Sequence, residues 1–174
     1  MTDDSTIVAG IEIPSTDPVF LTVVVGIHIP LGIVCVVVGA VAMFSQKSRG
    51  RHTIFGQAYY WGLLALFASA TFLSVMRWAQ SYHLFVLGAL SFASVWFGRR
   101  ALRARWPYWA RLHIAGMGLS YVLMLIAFYV DNGKQLPLWK DLPHFMYWLL
   151  PPIVGAPLIV RALLWHPVVK RSGL

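Results

Sequence analysis

The first apolar run of the chain, residues 18–44, is PVFLTVVVGIHIPLGIVCVVVGAVAMF, with no Lys, Arg, Asp or Glu among its residues. A helix needs roughly 20 apolar residues to cross a hydrocarbon core of about 30 Å, so this run predicts a transmembrane helix. Further apolar runs follow at about 53–76, 78–98, 112–130 and 142–164. The sequence therefore predicts an all-α integral membrane protein with five transmembrane helices.

Composition points to the same class. Hydrophobic residues make up 59% of the chain and charged residues only 11%, whereas ordinary soluble domains carry about 25% charged residues. The formal net charge of +8 is typical of membrane topology and contact with anionic lipids rather than of nucleic-acid binding. We therefore expect the lipid bilayer, and no nucleic acid, as a partner.

Charged residues fall into alternate connections between the apolar runs. Asp3, Asp4, Glu12 and Asp17 precede the first run, and Asp131 and Asp141 flank the loop before the last. The opposite ends of the runs carry Lys47, Arg49, Arg51, Arg99, Arg100, Arg103, Arg105, Arg111, Arg161, Lys170 and Arg171. Because basic residues are enriched on the cytoplasmic side, we predict an outside N-terminus and an inside C-terminus in the bacterial inner membrane, crossed several times.

The predicted domain organisation has three parts. Residues 1–17 form an extracytoplasmic tail without the basic start of a cleaved signal peptide, residues 18–166 form the five-helix transmembrane domain, and residues 167–174 form a cytoplasmic tail. Spans two to five are expected to pack as an antiparallel four-helix bundle, with the first span against it. Pro151, Pro152 and Pro157 are expected to kink or locally unwind the fifth span.

The histidines are the candidate cofactor ligands of this chain. His52, His83, His113 and His144 lie near the starts of spans two, three, four and five. In the predicted topology His52 and His113 share the inner depth, and His83 and His144 share the outer depth. Two histidine pairs on alternate helices are the arrangement needed to hold two stacked haem b groups inside a four-helix bundle.

This ligand plan resembles that of the transmembrane diheme cytochromes b, which move electrons from ascorbate or quinol across membranes. The resemblance implies one haem between His52 and His113 and another between His83 and His144. It also implies a quinol or a small reductant as the electron donor. The predicted function is therefore haem-mediated electron transfer across the membrane.

A second resemblance extends over about residues 26–166. It is carried by GIHIPLG at 26–32, GRH at 50–52 followed by Gly56 and Tyr59, SY at 120–121, FYVDNGK at 128–134 and YWLLP at 147–151. On these residues the chain resembles a family of uncharacterised bacterial predicted membrane proteins. That resemblance implies a multi-span membrane protein and no assigned activity.

His28 lies inside the first span rather than at its end. Ten residues at 1.5 Å each place it roughly 15 Å deep, near the bilayer centre, where an ionisable residue is by default a functional-site hypothesis. Gly32 follows His28, Gly56 follows His52 and Gly116 follows His113, each about one helical turn later. Such glycines fit the edge of a bound porphyrin, and they fit close helix packing equally well.

Two other functions remain open. In the first, His28, His83 and His144, with Asp131 as a further ligand, hold zinc in a membrane hydrolase. No H-x-x-x-H spacing places two such ligands on one helix, so that site depends on tertiary packing alone. In the second, the protein is a non-catalytic subunit that packs with other membrane subunits, and its histidines serve only packing.

Overall fold

The computed structural model describes residues 5–8, 10–13, 15–46, 50–167 and 169. Five helical segments in it are long and apolar enough to cross a membrane: Pro18–Phe44, Arg51–Met76, Trp78–Ala104, Trp109–Gln135 and Phe145–Trp165. The all-α class and the five predicted spans are thereby confirmed. The orientation and the four-helix bundle stay predictions, and part of the charge pattern behind the orientation (Asp3, Asp4, Lys47, Arg49, Lys170, Arg171) lies outside the described residues.

The helices follow one another along the chain with short connections. In order they are α1 (Pro18–Val23), a π-helix (Val24–His28), α2 (Ile29–Phe44), α3 (Arg51–Met76), α4 (Trp78–Ala104), α5 (Trp109–Asn132), a 3-10 turn (Gly133–Gln135) and α6 (Phe145–Trp165). The first three of these form the first span.

A short β-hairpin precedes the helices, within the segment that the sequence predicted as an extracytoplasmic tail. Strand β1 (Thr6–Val8) pairs antiparallel with β2 (Ile11–Ile13). The turn between them includes Gly10 at φ +82°, a left-handed conformation that glycine adopts without steric cost.

The hairpin is anchored to the first span. Ile13 is buried in one cluster with Phe20 of α1 and Leu73 near the end of α3. Asp17 caps α1, since its carboxylate accepts hydrogen bonds from the backbone N–H groups of Val19 and Phe20 at 2.8 and 2.9 Å. The acidic residue thus starts the helix as well as contributing to the charge pattern.

A π-helix interrupts the first span at Val24–His28. Pro30 follows this interruption; it has no N–H for the carbonyl of Gly26, and its ring crowds that carbonyl. The N–H of Ile29 instead bonds to the carbonyl of Val24, five residues back. By contrast, α6 runs as one continuous helix through Pro151, Pro152 and Pro157, so the local unwinding predicted for the fifth span is absent there.

The chain forms two compact units, Met1–Phe85 and Val86–Leu174. In the first unit α2 packs along α3, and a Cβ on Gly62 would lie 3.0 Å from the Sγ of the buried Cys35. In the second unit α5 packs along α6, where a Cβ on Gly118 would lie 2.6 Å from Cγ1 of Ile159. Glycines in both units therefore allow close helix approach.

Candidate functional site

His52 lies in the first turn of α3, and its ring reaches back to α2. Its Nδ1 atom is 2.8 Å from the backbone oxygen of Ala42. A carbonyl oxygen only accepts hydrogen bonds, so Nδ1 must carry the hydrogen and donate it. In the neutral ring the lone pair is then on Nε2.

His113 lies in the second turn of α5 and makes the equivalent contact with α4. Its Nδ1 atom is 3.1 Å from the backbone oxygen of Gly98. The same reasoning places the hydrogen on Nδ1 and the lone pair on Nε2. Each of these two half-buried histidines thus donates to a carbonyl of the helix that precedes its own.

This orientation suits two roles that the sequence left open. A histidine that binds a metal usually donates its other ring N–H to a carbonyl or carboxylate, which fixes the tautomer and the ring angle. A histidine that only packs between membrane helices makes the same interhelical bond. The geometry therefore fits a ligand role for His52 and His113 without requiring one.

His28 is held in the same tautomer by a side chain. Its Nδ1 atom lies 2.9 Å from Oγ of Ser69 in α3, and that oxygen lies 2.8 Å from the carbonyl oxygen of Leu66. Both contacts are hydrogen bonds only if Nδ1 of His28 donates to Oγ of Ser69 and the Ser69 hydroxyl donates to Leu66, because that hydroxyl has a single hydrogen. Nε2 of His28 carries the lone pair.

The two histidines predicted for the outer haem are held differently. His83 is half-buried in α4 and packs edge-on against Tyr82, with ring centroids 5.7 Å apart. His144 is exposed just before α6 and packs edge-on against Tyr147 at 5.8 Å. Neither ring hydrogen-bonds to another residue that the structure describes. Hydrogen bonds to neighbouring helices thus orient the predicted inner pair and not the predicted outer pair.

The three predicted cofactor-facing glycines have different surroundings. A Cβ on Gly116 would lie 2.7 Å from the backbone oxygen of Ser94 and 2.8 Å from Cα of Gly98, so the helix α4 fills that space. A Cβ on Gly32 would meet only Cδ1 of Leu66 at 3.9 Å, an ordinary contact. A Cβ on Gly56 would have no heavy atom within 4 Å. Close helix packing accounts for Gly116, and Gly56 stands beside open space.

The metal-binding side chains that the structure describes do not gather into a cluster. Within the described ranges, no group of three or more His, Cys, Asp or Glu could hold a metal ion. The zinc alternative therefore gains no support from such a group.

Sequence reasoning missed the partners that orient the histidines. Two of them, Ala42 and Gly98, contribute backbone carbonyls, which every residue has and which leave no signal in the sequence. Ser69 is an ordinary packing residue by type, although a serine inside an apolar span was available as a signal.

Comparison with known proteins bears on the class of the chain. Neither the curated proteins nor the solved structures compared with it gave a significant match. One family model, described as "Predicted membrane protein (DUF2306)", matches residues 25–164 and so includes parts of all five spans. This range covers most of the second resemblance seen in the sequence. The chain therefore belongs to the DUF2306 family of predicted membrane proteins, whose function is unknown.

Proposed function

We propose that this integral membrane protein binds b-type haem through its histidines and carries single electrons across the bilayer. The observation that supports the proposal is the shared ring geometry of His52 and His113. Both donate from Nδ1 to a backbone carbonyl, at 2.8 and 3.1 Å, and both therefore present Nε2 as the basic nitrogen. Their pairing rests on the predicted topology, which gives them one depth.

The donor chemistry of these residues fits haem iron. Neutral imidazole nitrogen is a ligand of low-spin haem, and a carbonyl acceptor on the opposite nitrogen increases the basicity of the ligand. Bound haem would supply one-electron oxidation and reduction. The chain would hold the two rings in the ligating tautomer before the cofactor enters, which lowers the cost of ordering them.

The helices that pack against α3 and α5, which carry these histidines, expose apolar side chains. Ile33 and Val37 of α2 are 61% and 55% exposed in the isolated chain, and Ile153 and Val154 of α6 are 60% and 63% exposed. Side chains of this kind belong against lipid tails, which keep water away from the spans. A dry surrounding strengthens charge interactions and influences the potential of a bound cofactor.

The outer pair, His83 and His144, enters the proposal through its spacing and predicted depth alone. Two haems are expected if both pairs ligate, and one haem if only the inner pair does. Protein purified from cells supplied with haem should be coloured, and its pyridine haemochrome should give the number of haems per chain. His166→Ala is a matched control, since His166 lies at the end of α6 and belongs to neither predicted pair.

A second candidate function is that of a non-catalytic subunit of a larger membrane complex. The observation that favours it is that the bonds of His52 and His113 each join two helices, as packing histidines do. A colourless, stable and monodisperse protein that co-purifies with other membrane subunits would support this alternative. Replacing either histidine should then lower stability without changing any absorption band.

A further inference from the structure

His28 belongs to neither predicted haem pair, yet it occupies the most unusual backbone of the first span. It is the last residue of the π-helix Val24–His28, and Pro30 follows two residues later. Single π-helical turns inside α-helices are frequently found at functional sites. An ionisable residue at such a turn is a candidate site in its own right.

The depth of His28 makes this position chemically special. It lies ten residues after Pro18, the start of the first span, which corresponds to about 15 Å into a hydrocarbon core of about 30 Å. Water is scarce at that depth, and a polar atom without a partner is costly there. A hydrogen-bonding atom of His28 near the bilayer centre therefore favours a partner that is itself soluble in the membrane.

Ser69 determines which ring nitrogen of His28 is available as a hydrogen-bond acceptor. The hydrogen bonds run from Nδ1 of His28 to Oγ of Ser69 and from that hydroxyl to the carbonyl of Leu66. These two hydrogen bonds end on a carbonyl oxygen, which has no hydrogen to pass on. They therefore orient the ring of His28 and do not conduct a proton. Nε2 is left as an acceptor.

Nε2 of His28 is also accessible. Among the described residues, no buried side-chain nitrogen or oxygen lacks a hydrogen-bond partner. Nε2 of His28 makes no hydrogen bond to a described residue, so it must reach the surface of the chain. The neighbouring Val25 and Ile27 are exposed, so the surface on either side of His28 is apolar. The acceptor atom therefore lies at the surface of the chain, between apolar side chains.

We propose that this surface is a quinol site, in which Nε2 of His28 accepts a hydrogen bond from a ring hydroxyl of a membrane-soluble quinol. A quinol is apolar enough to reach the bilayer centre and carries the hydroxyl donor that Nε2 requires. The choice of a quinol over other hydroxyl compounds rests on the proposed function, which needs a reductant from the membrane.

The test uses the whole protein, labelled with ¹⁵N-histidine, in phosphatidylcholine and phosphatidylglycerol vesicles under reducing conditions. The ¹⁵N signal of Nε2, assigned by its loss in His28→Phe, is titrated with 2-decylhydroquinone. Its dimethyl ether, which has the same ring and tail without a hydroxyl hydrogen, is titrated in parallel, as is 1-decanol. We expect the hydroquinone to bind about tenfold more tightly than the ether, as the loss of one hydrogen bond implies. Equal binding of the ether, or of decanol, would overturn the quinol assignment.

Ser69→Ala provides a second variant that keeps the ring. Without the hydroxyl acceptor, Nδ1–H is no longer favoured, so the ¹⁵N spectrum should show both tautomers and the hydroquinone should bind several-fold more weakly. Thr71→Val is the matched control, because Thr71 donates only to Phe67 in its own helix. Unchanged tautomer and affinity in Ser69→Ala would contradict the inference. Haem content, measured on the same samples, separates the two proposals: a colourless protein that still binds the hydroquinone refutes only the proposed electron transfer.

Discussion

Gly98 in α4 and Gly116 in α5 meet backbone to backbone: a Cβ on Gly116 would lie 2.8 Å from Cα of Gly98. Gly98 is also the residue whose carbonyl accepts the hydrogen bond of His113. The close helix contact and the ring orientation are therefore built at the same place. Loss of the contact should disturb both.

Gly116→Ala should destabilise the protein, because the added methyl group has no space between the two helices. Overpacking of this kind costs about 1–3 kcal/mol. Gly56→Ala is the control, since Gly56 is also a mid-helix glycine but has no heavy atom within 4 Å of the added methyl. That variant should be neutral or more stable by up to about 1 kcal/mol. A reversible detergent titration gives the free energy of unfolding of both variants. Equal free energies for Gly116→Ala and Gly56→Ala would contradict the structure.

Tyr147→Phe should lower stability through its hydroxyl. Tyr147 is fully buried, and its hydroxyl donates to the carbonyl of Trp139 at 2.9 Å. Removing the donor leaves that carbonyl without this partner, at a cost of about 0.5–1.5 kcal/mol. The same titration applied to Tyr82→Phe provides the comparison, since Tyr82 is 53% exposed. A loss as large in Tyr82→Phe would show that the hydroxyl of Tyr147 has no special role.

The number of spans could be predicted from the sequence because length and hydrophobicity alone determine whether a helix can cross a membrane. The β-hairpin could not, because its two strands are short and gain stability from burying Ile13 against Phe20 and Leu73, a contact with a distant helix. Pro30 was visible in the sequence, yet whether a proline kinks a helix, widens it to a π-helix or is tolerated depends on packing.

The candidate site was predictable in its residue types and not in its geometry. His28, His52 and His113 stand out in the sequence as ionisable residues in or near apolar runs. Their hydrogen-bond acceptors do not, since two are carbonyls of the preceding helix and one is Ser69 on another helix. The tautomer of each ring follows from such tertiary contacts and therefore cannot be predicted from the sequence alone.

The predicted orientation gives a direct test of the depth argument. A reporter fused after Leu174 should report a cytoplasmic C-terminus, and one placed before Met1 should be exported, because five spans put the ends on opposite sides. A reporter active only outside the membrane and one active only in the cytoplasm should be used at both ends. Finding both ends on one side would remove the equal depth of His52 and His113.

Histidine substitutions should sort by pair. His52→Ala and His113→Ala should remove the same haem signal, because each six-coordinate iron needs both imidazoles. His83→Ala and His144→Ala should remove the other and leave the first largely intact. His28→Ala should keep both haems. Loss of haem in His28→Ala alone would show that His28 is a ligand. The pairing of histidines by equal predicted depth would then be wrong.

Haem binding itself is the central claim, and the reduced-minus-oxidised absorption spectrum of the purified protein tests it most directly. Bis-histidine haem gives a sharp band in the reduced state that packing histidines cannot produce. The account predicts this band in protein from cells supplied with haem, together with a pyridine haemochrome of b type, and its loss in His52→Ala and His113→Ala but not in His166→Ala. A folded, monodisperse and colourless protein from the same cells would contradict it.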